Sequence, residues 1–461
     1  MNFATRKFLS IALATASLVA SSAYAADSPA TVNEEKLEQQ ITQMQRQLDE
    51  LKAQQQQLKA QNEALAAQQQ QQAAQAQLAK SAAPTGGISP DLSLWGYGEI
   101  YYMHPIHDTS LTEFDLARAV FGIGYRFDER TVFNSEFEIE HAVASADDAG
   151  EFEVEQFYID HQFAEWGSVK AGLFLMPFGL LNEHHEPTNF YGVQRNFVET
   201  LIIPSTWREG GVGVHGTTSS GFGWDLGLTT GMNMNGWNNN PSDPLYRTAY
   251  QLGINGVGPL QATHQELSIA DAQHLSQYFS LSYSGMPGLL VGAAVFTGLA
   301  ALPTVPPGLP DERVTLWEGH ARWTPGAFDL SAVYARGTIS NTGPYNEANA
   351  GVSNPLPSEF LGYYLQAAYT VWQRNGARLT PFARWEHYDM GAGYEGIPPG
   401  FPTVPTGLAA DGLPWPQPND RVWTLGANFY INPHVVFKAD YQTFDVNKDL
   451  SRFDLGLGLS F

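Results

Sequence analysis

Apolar and polar or small side chains alternate over long stretches of this chain, most plainly in the eleven residues Ser451 to Phe461. Phe453, Leu455, Leu457, Leu459 and Phe461 fall on one face, and Arg452, Asp454, Gly456, Gly458 and Ser460 on the other. Because a strand has a side-chain period of two, this predicts a strand with one oily and one wet face. Similar segments recur upstream and predict strands at 93–103, 113–127, 130–142, 151–164, 167–176, 207–217, 221–232 and 275–285. The pattern continues at 288–299, 312–324, 327–340, 358–373, 377–390, 420–432, 434–446 and 451–461, about sixteen strands in all.

The connections are as regular as the strands. Tight turns are expected at Asp128-Glu129, Glu165-Trp166, Ser219-Ser220, Met286-Pro287, Pro325-Gly326, Asn375-Gly376 and Asn432-Pro433, where the residue types suit sharp reversals. Every other connection is long. An even strand count with alternating short turns and long loops predicts an all-β fold, a sixteen-stranded antiparallel transmembrane β-barrel of the bacterial outer membrane. Tyr101, Tyr102, Trp317, Trp323, Tyr363, Tyr364 and Trp423 lie toward strand ends and are expected in interfacial girdles. A closing strand that ends on Phe461 fits the terminal signal of such barrels.

A different period precedes the strands. Leu37, Met44, Leu51, Leu58 and Leu65 occupy one heptad position, and Ile41, Leu48, Gln55 and Asn62 the other. The 3-4 spacing predicts an α-helical coiled coil over 33–79, thinning to a Gln-rich helix after residue 68, and its apolar stripe requires partner helices. Residues 1–25 read as a signal peptide: Arg6 and Lys7, an apolar run, then Ala23-Tyr24-Ala25. An Ala-, Gly- and Pro-containing linker at 80–92 separates the coil from a barrel domain at 93–461, which places the coil in the periplasm.

Composition removes several alternatives. Mean hydropathy of -0.24 and the absence of a long apolar run after the leader exclude a helical membrane protein. With no cysteine, thiolate chemistry and disulfides are excluded. Net charge is -23, and the chain without its leader stands at -25, which argues against a nucleic-acid partner.

Candidate chemistry lies on the wet faces. Arg118 and Arg126 on one strand, and Glu136, Glu138 and Glu140 on the next, alternate with apolar residues, and pairing through the Asp128-Glu129 turn sets Arg118 opposite Glu138 or Glu140. Lys170, Glu318, Arg322, Arg384, Glu386, Lys438 and Asp440 complete a mixed-charge lining, since charge on a lipid-facing position costs ~2 to 4 kcal/mol near mid-membrane. The thirty-residue connection from Pro177 to Thr206 is the candidate constriction, with Glu183, Glu186, Arg195 and Glu199 as its charged members beside His184 and His185. Adjacent histidines point apart on extended chain, so the Glu-His-His-Glu run is expected to hold no metal. No cofactor is called for. A barrel hydrolase would need a Ser, His and acid constellation, and none is evident. An envelope tether, with the coil gripping the cell wall, stays open as an alternative to a channel.

The run Lys170-Ala-Gly-Leu-Phe-Leu-Met-Pro-Phe-Gly, Gln156-Phe-Tyr-Ile-Asp, the Phe-Asp-Leu-Ala-Arg of 114 to 118 and the closing Phe461 resemble the phosphate-selective porin O and P family. The resemblance implies a sixteen-stranded, homotrimeric outer-membrane channel in contact with lipid, with small hydrophilic solutes or ions as permeants and Arg118 as a pore residue. It leaves a phosphate- or anion-selective porin as the alternative to a general one. Phosphate-binding members tend to carry Lys before the Pro-Phe step, and this chain has Leu175-Met176 there. The acidic excess with Glu136 and Glu138 then predicts a mild cation preference.

Overall fold

The computed structural model describes residues 42–46, 91–145, 150–237, 258–300, 311–349, 354–400, 402–404 and 417–461. Residues 42–46 are helical and exposed; the expected signal peptide, the expected linker up to residue 90 and the remainder of the expected coiled coil lie outside the described residues.

From Leu92 onward the chain forms one antiparallel sheet. Its strands are β1 (Leu92–Pro105), β2 (Glu113–Arg126), β3 (Thr131–Glu140), β4 (Phe152–Ala164), β5 (Gly167–Leu175), β6 (Arg208–Thr217), β7 (Phe222–Thr229) and β8 (Ser276–Tyr283). They continue with β9 (Leu289–Leu299), β10 (Arg313–Trp323), β11 (Phe328–Ile339), β12 (Glu359–Tyr369), β13 (Trp372–Arg374), β14 (Ala377–Gly393), β15 (Asn419–Asn432), β16 (Val435–Phe444) and β17 (Arg452–Ser460). The short β13 prolongs β12, since both pair with β14. Counted by neighbours around the wall, the sheet therefore has sixteen staves. It closes because β1 pairs with β2 on one side and with β17 on the other. Closure removes every free edge, the requirement for spanning lipid with strands.

Turn chemistry fixes the short connections. Asp128 Oδ1 accepts the N–H groups of Arg130 and Thr131, each at 2.8 Å, and these bonds hold its carboxyl below the usual range. Asn375 and Gly376 both take positive φ, 52° and 85°, the geometry of a two-residue hairpin turn.

Alternation sorts the side chains as the pleat requires. Phe121, Phe157, Trp317, Trp323, Leu365, Trp423, Leu425, Phe453 and Leu455 are exposed on the outer face. Arg384, Glu386, Asn428, Asp440, Arg452 and Asp454 are buried on the inner one. Tyr364 departs from the girdle expectation, for it is 3% exposed and points inward.

Candidate functional site

The chain between β5 and β6 runs inside the barrel. Its sequence is apolar enough to be held there: Phe178, Phe197, Val198, Leu201, Ile202, Ile203 and Trp207 are buried with Phe174, Phe296, Leu316, Val333, Phe360 and Tyr388 from the wall. Trp207 lies 4.9 Å from both Phe178 and Phe296, ring centre to ring centre. Phe197 lies 5.4 Å from Tyr388 and 5.3 Å from Phe444. The inner face is therefore not uniformly wet. One side of it is an apolar seat for the loop, because strands flanked by a packed segment are free to carry apolar residues on both faces.

Loop backbone groups at this depth must find partners, and the opposite wall supplies them. Val193 N–H donates to Asp440 at 2.6 Å and Phe197 N–H to Glu386 at 2.6 Å. The carbonyls of Phe190 and Tyr191 accept from Asn428 at 3.0 Å and Arg384 at 3.1 Å. Close approach also needs small residues on the wall. At Gly458 a Cβ would stand 2.6 Å from Pro187 Cβ, so a larger residue there displaces the loop.

Glu199, in a π-helical turn at Val198–Ile202, pins the other end. Its carboxylate accepts the N–H groups of Leu180 at 2.5 Å and Leu181 at 2.8 Å, the Asn196 amide at 2.8 Å and the Tyr364 hydroxyl at 3.0 Å. Burial pushes the carboxyl upward in pKa and these donors oppose the shift. Gly179 makes room for it, with φ of 68° and no space for a side chain beside Glu199 Oε1. Arg195 is likewise turned into the loop, donating to Ser205, to Thr206 at 2.9 Å and to the His185 carbonyl at 3.3 Å. Of the four charged loop candidates, Arg195 and Glu199 thus hold the loop's shape; Glu183 is exposed and Glu186, half-buried, accepts from Asn189 at 2.6 Å.

The wall candidates are mostly paired. Arg118 stands in register with Glu140, and its guanidinium lies 2.9 Å from Glu99 and 3.3 Å from Glu138. Lys170 meets Asp225 at 2.6 Å, Arg322 meets Asp329 at 2.6 Å, and Arg384 meets Glu386 at 2.9 Å. Glu318 lies 3.0 Å from His320. Lys438 stacks on Phe190, its ammonium 3.4 Å from the ring centre. Glu136 accepts from Trp95 at 2.7 Å and from Gln156. Arg126 has the inward phase but is exposed at the turn end of β2, so it sits at the rim.

Other residues of this network were not singled out from the sequence. Arg208 bridges Glu153 and Glu266, and Arg452 meets Asp454 at 3.0 Å. The Arg452–Asp454 pair could have been found in the alternation of the closing strand. Glu155 could not, because β4 carries a bulge opposite Glu136 and Phe137: Glu136 faces Gln156 and Phe137 faces Val154, leaving Glu155 as the extra residue. A bulge re-aims a side chain without any mark in the period-two pattern.

Comparison with known proteins agrees with this architecture. The profile of the family described as phosphate-selective porin O and P matches residues 95–451. An uncharacterised protein of Aquifex aeolicus (strain VF5) is 28% identical over 379 residues, 79% of this chain and 78% of that one. Among solved structures, Salmonella typhi OmpF in complex with daunomycin superposes with a TM-score of 0.50 at 14% identity, covering 81% of this chain and 99% of that one. An anion-selective porin from Comamonas acidovorans superposes with a TM-score of 0.47 at 10% identity, over 80% of this chain and 99% of that one.

Proposed function

Because the chain belongs to the phosphate-selective porin O and P family of outer-membrane channels, we propose that it is a passive diffusion channel for small hydrophilic solutes and ions, narrowed by the inward loop and only weakly selective for charge. The observation that carries the last point is charge pairing. Arg118, Lys170, Arg208, Arg322, Arg384 and Arg452 each stand within 4.0 Å of a carboxylate. Paired charges cancel at a distance, and what remains is screened within ~8 Å at physiological salt.

Dedicated phosphate selection is disfavoured by the same reading. Met176, where phosphate-binding relatives are expected to place Lys, is fully buried in the apolar seat of the loop. Glu136 and Glu138, expected to draw cations, are themselves buried and bonded, so the cation preference they confer is small. A homotrimer with periplasmic coils belongs to the same proposal. On the outer wall, Ala321, Ala332, Ala367 and Ala383 form a shallow apolar floor rimmed by Trp323, Trp385 and Trp423, a surface that lets a second apolar wall approach closely.

Reversal potentials of the purified protein in a planar bilayer under a potassium chloride gradient test the selectivity. The expected value lies close to zero on the cation side. A strong anion preference, with current blocked by micromolar phosphate, would restore the phosphate-selective reading.

A further inference from the structure

Where the loop meets the wall, three side chains from three parts of the chain converge. His185 comes from the loop, Glu136 from β3 and Glu155 from the bulge of β4, and one ligand-type atom of each lies within 4.8 Å of the other two. All three residues are buried. His185 Nε2 is 3.8 Å from Glu155 Oε2, and the Tyr97 hydroxyl sits between, 2.6 Å from the imidazole and 3.1 Å from the carboxylate.

Two details point to a ligand rather than to a plain buried ion pair. His185 Nδ1 lies 2.8 Å from the Asn182 carbonyl, an acceptor only, so Nδ1 carries the hydrogen, and Nε2, 2.6 Å from the Tyr97 hydroxyl, is the nitrogen on the side of the acids. An imidazole held by its other nitrogen in this way is how protein ligands to metals are oriented. Second, Glu155 is 0% exposed, and no donor reaches its Oε1, whose polar neighbour is the Glu138 carboxyl. A buried carboxylate oxygen without a donor is costly unless a cation or proton answers it. Of the acids nearby, Glu99 and Glu138 meet Arg118 and Glu153 meets Arg208, and neither arginine has an ion-pair contact with Glu155 or Glu136 among the described residues.

We propose that Glu136, Glu155 and His185 form a site for a borderline divalent transition cation, with zinc the natural fit to one imidazole and two carboxylates, and that the ion clamps the loop to the wall. This goes beyond passive permeation and stands whether or not the channel selects among ions. It is not the Glu-His-His-Glu run acting as a unit, since Glu183 and His184 are exposed and only His185 turns inward. Imidazole favours zinc over magnesium or calcium, which prefer oxygen alone.

The test uses the full-length protein, folded in detergent, stripped with a chelator and dialysed against micromolar zinc chloride, with bound metal counted per chain. One zinc per chain is expected, with magnesium and calcium failing to compete. His185→Ala should weaken binding by more than the ~10–100-fold typical of outer-shell changes. Glu155→Gln should do the same, and His184→Ala should retain binding. Heat-dependent gel migration shows which variants are folded, and Glu136→Gln replaces any that is not. A wild-type protein that takes up no zinc overturns the proposal, as does equal loss in His184→Ala or displacement of zinc by equimolar magnesium.

Discussion

At Glu199 the difference between a charge that filters and a charge that builds is decided by its partners. A carboxylate that receives four donors from the loop and from Tyr364 has little left to offer a passing ion. Removing it strands those donors inside the barrel, and each buried unsatisfied group costs ~1–3 kcal/mol. Glu199→Ala is therefore expected to destabilise the loop by about 3 kcal/mol and to speed amide exchange across 195–203 by about 100-fold, while Glu183→Ala at an exposed position leaves exchange unchanged. Hydrogen-exchange mass spectrometry of the folded protein reads both, and equal protection in the two variants would show that Glu199 does not hold the loop. The residue type alone could not have revealed this. Arg195 and Glu199 looked like pore charges because sequence shows charge and not contact.

The strands were legible almost residue by residue, and β17 shows why. Its outer positions Phe453, Leu455 and Leu459 are exposed to the surroundings of the barrel, whereas its inner positions Arg452 and Asp454 are buried, so period two survives intact in the chain. The loop was legible only as a long connection. Its direction depends on an apolar seat assembled from β5, β8 to β12 and β14 to β16, whose inward Phe296, Leu316 and Val333 give no local sign of what covers them. Glu155 was hidden for a different reason, the bulge in β4. Closure of the wall adds a prediction of its own. Phe461 N–H donates to Gly96 at 2.9 Å, and Gly96 N–H donates to Phe461 at 3.1 Å, so the residue extends the seam between β17 and β1. Deleting Phe461 should leave the chain exported but poorly assembled, seen as a reduced heat-dependent gel shift. A full shift would show that the seam does not need it.

Over the whole molecule, a net charge of -23 suggests a cation-attracting pore, yet on the inner wall Arg118, Lys170, Arg384 and Arg452 each stand at contact distance from a carboxylate. Composition reports the sum of charges, and only register shows which ones cancel. Arg118 with Glu138 is the case sequence anticipated, Arg452 with Asp454 was legible in the alternation of the closing strand, and Arg208 with Glu153 was added by the fold. A closed wall, a loop seated inside it and a lining of compensated charge together support the proposal of a channel that sieves by size more than by sign. The most direct test is single-channel recording of the purified protein in planar bilayers. Discrete ohmic steps that grow in proportion to salt concentration are the expected result, and protein that inserts as folded barrels yet passes no current would contradict the account.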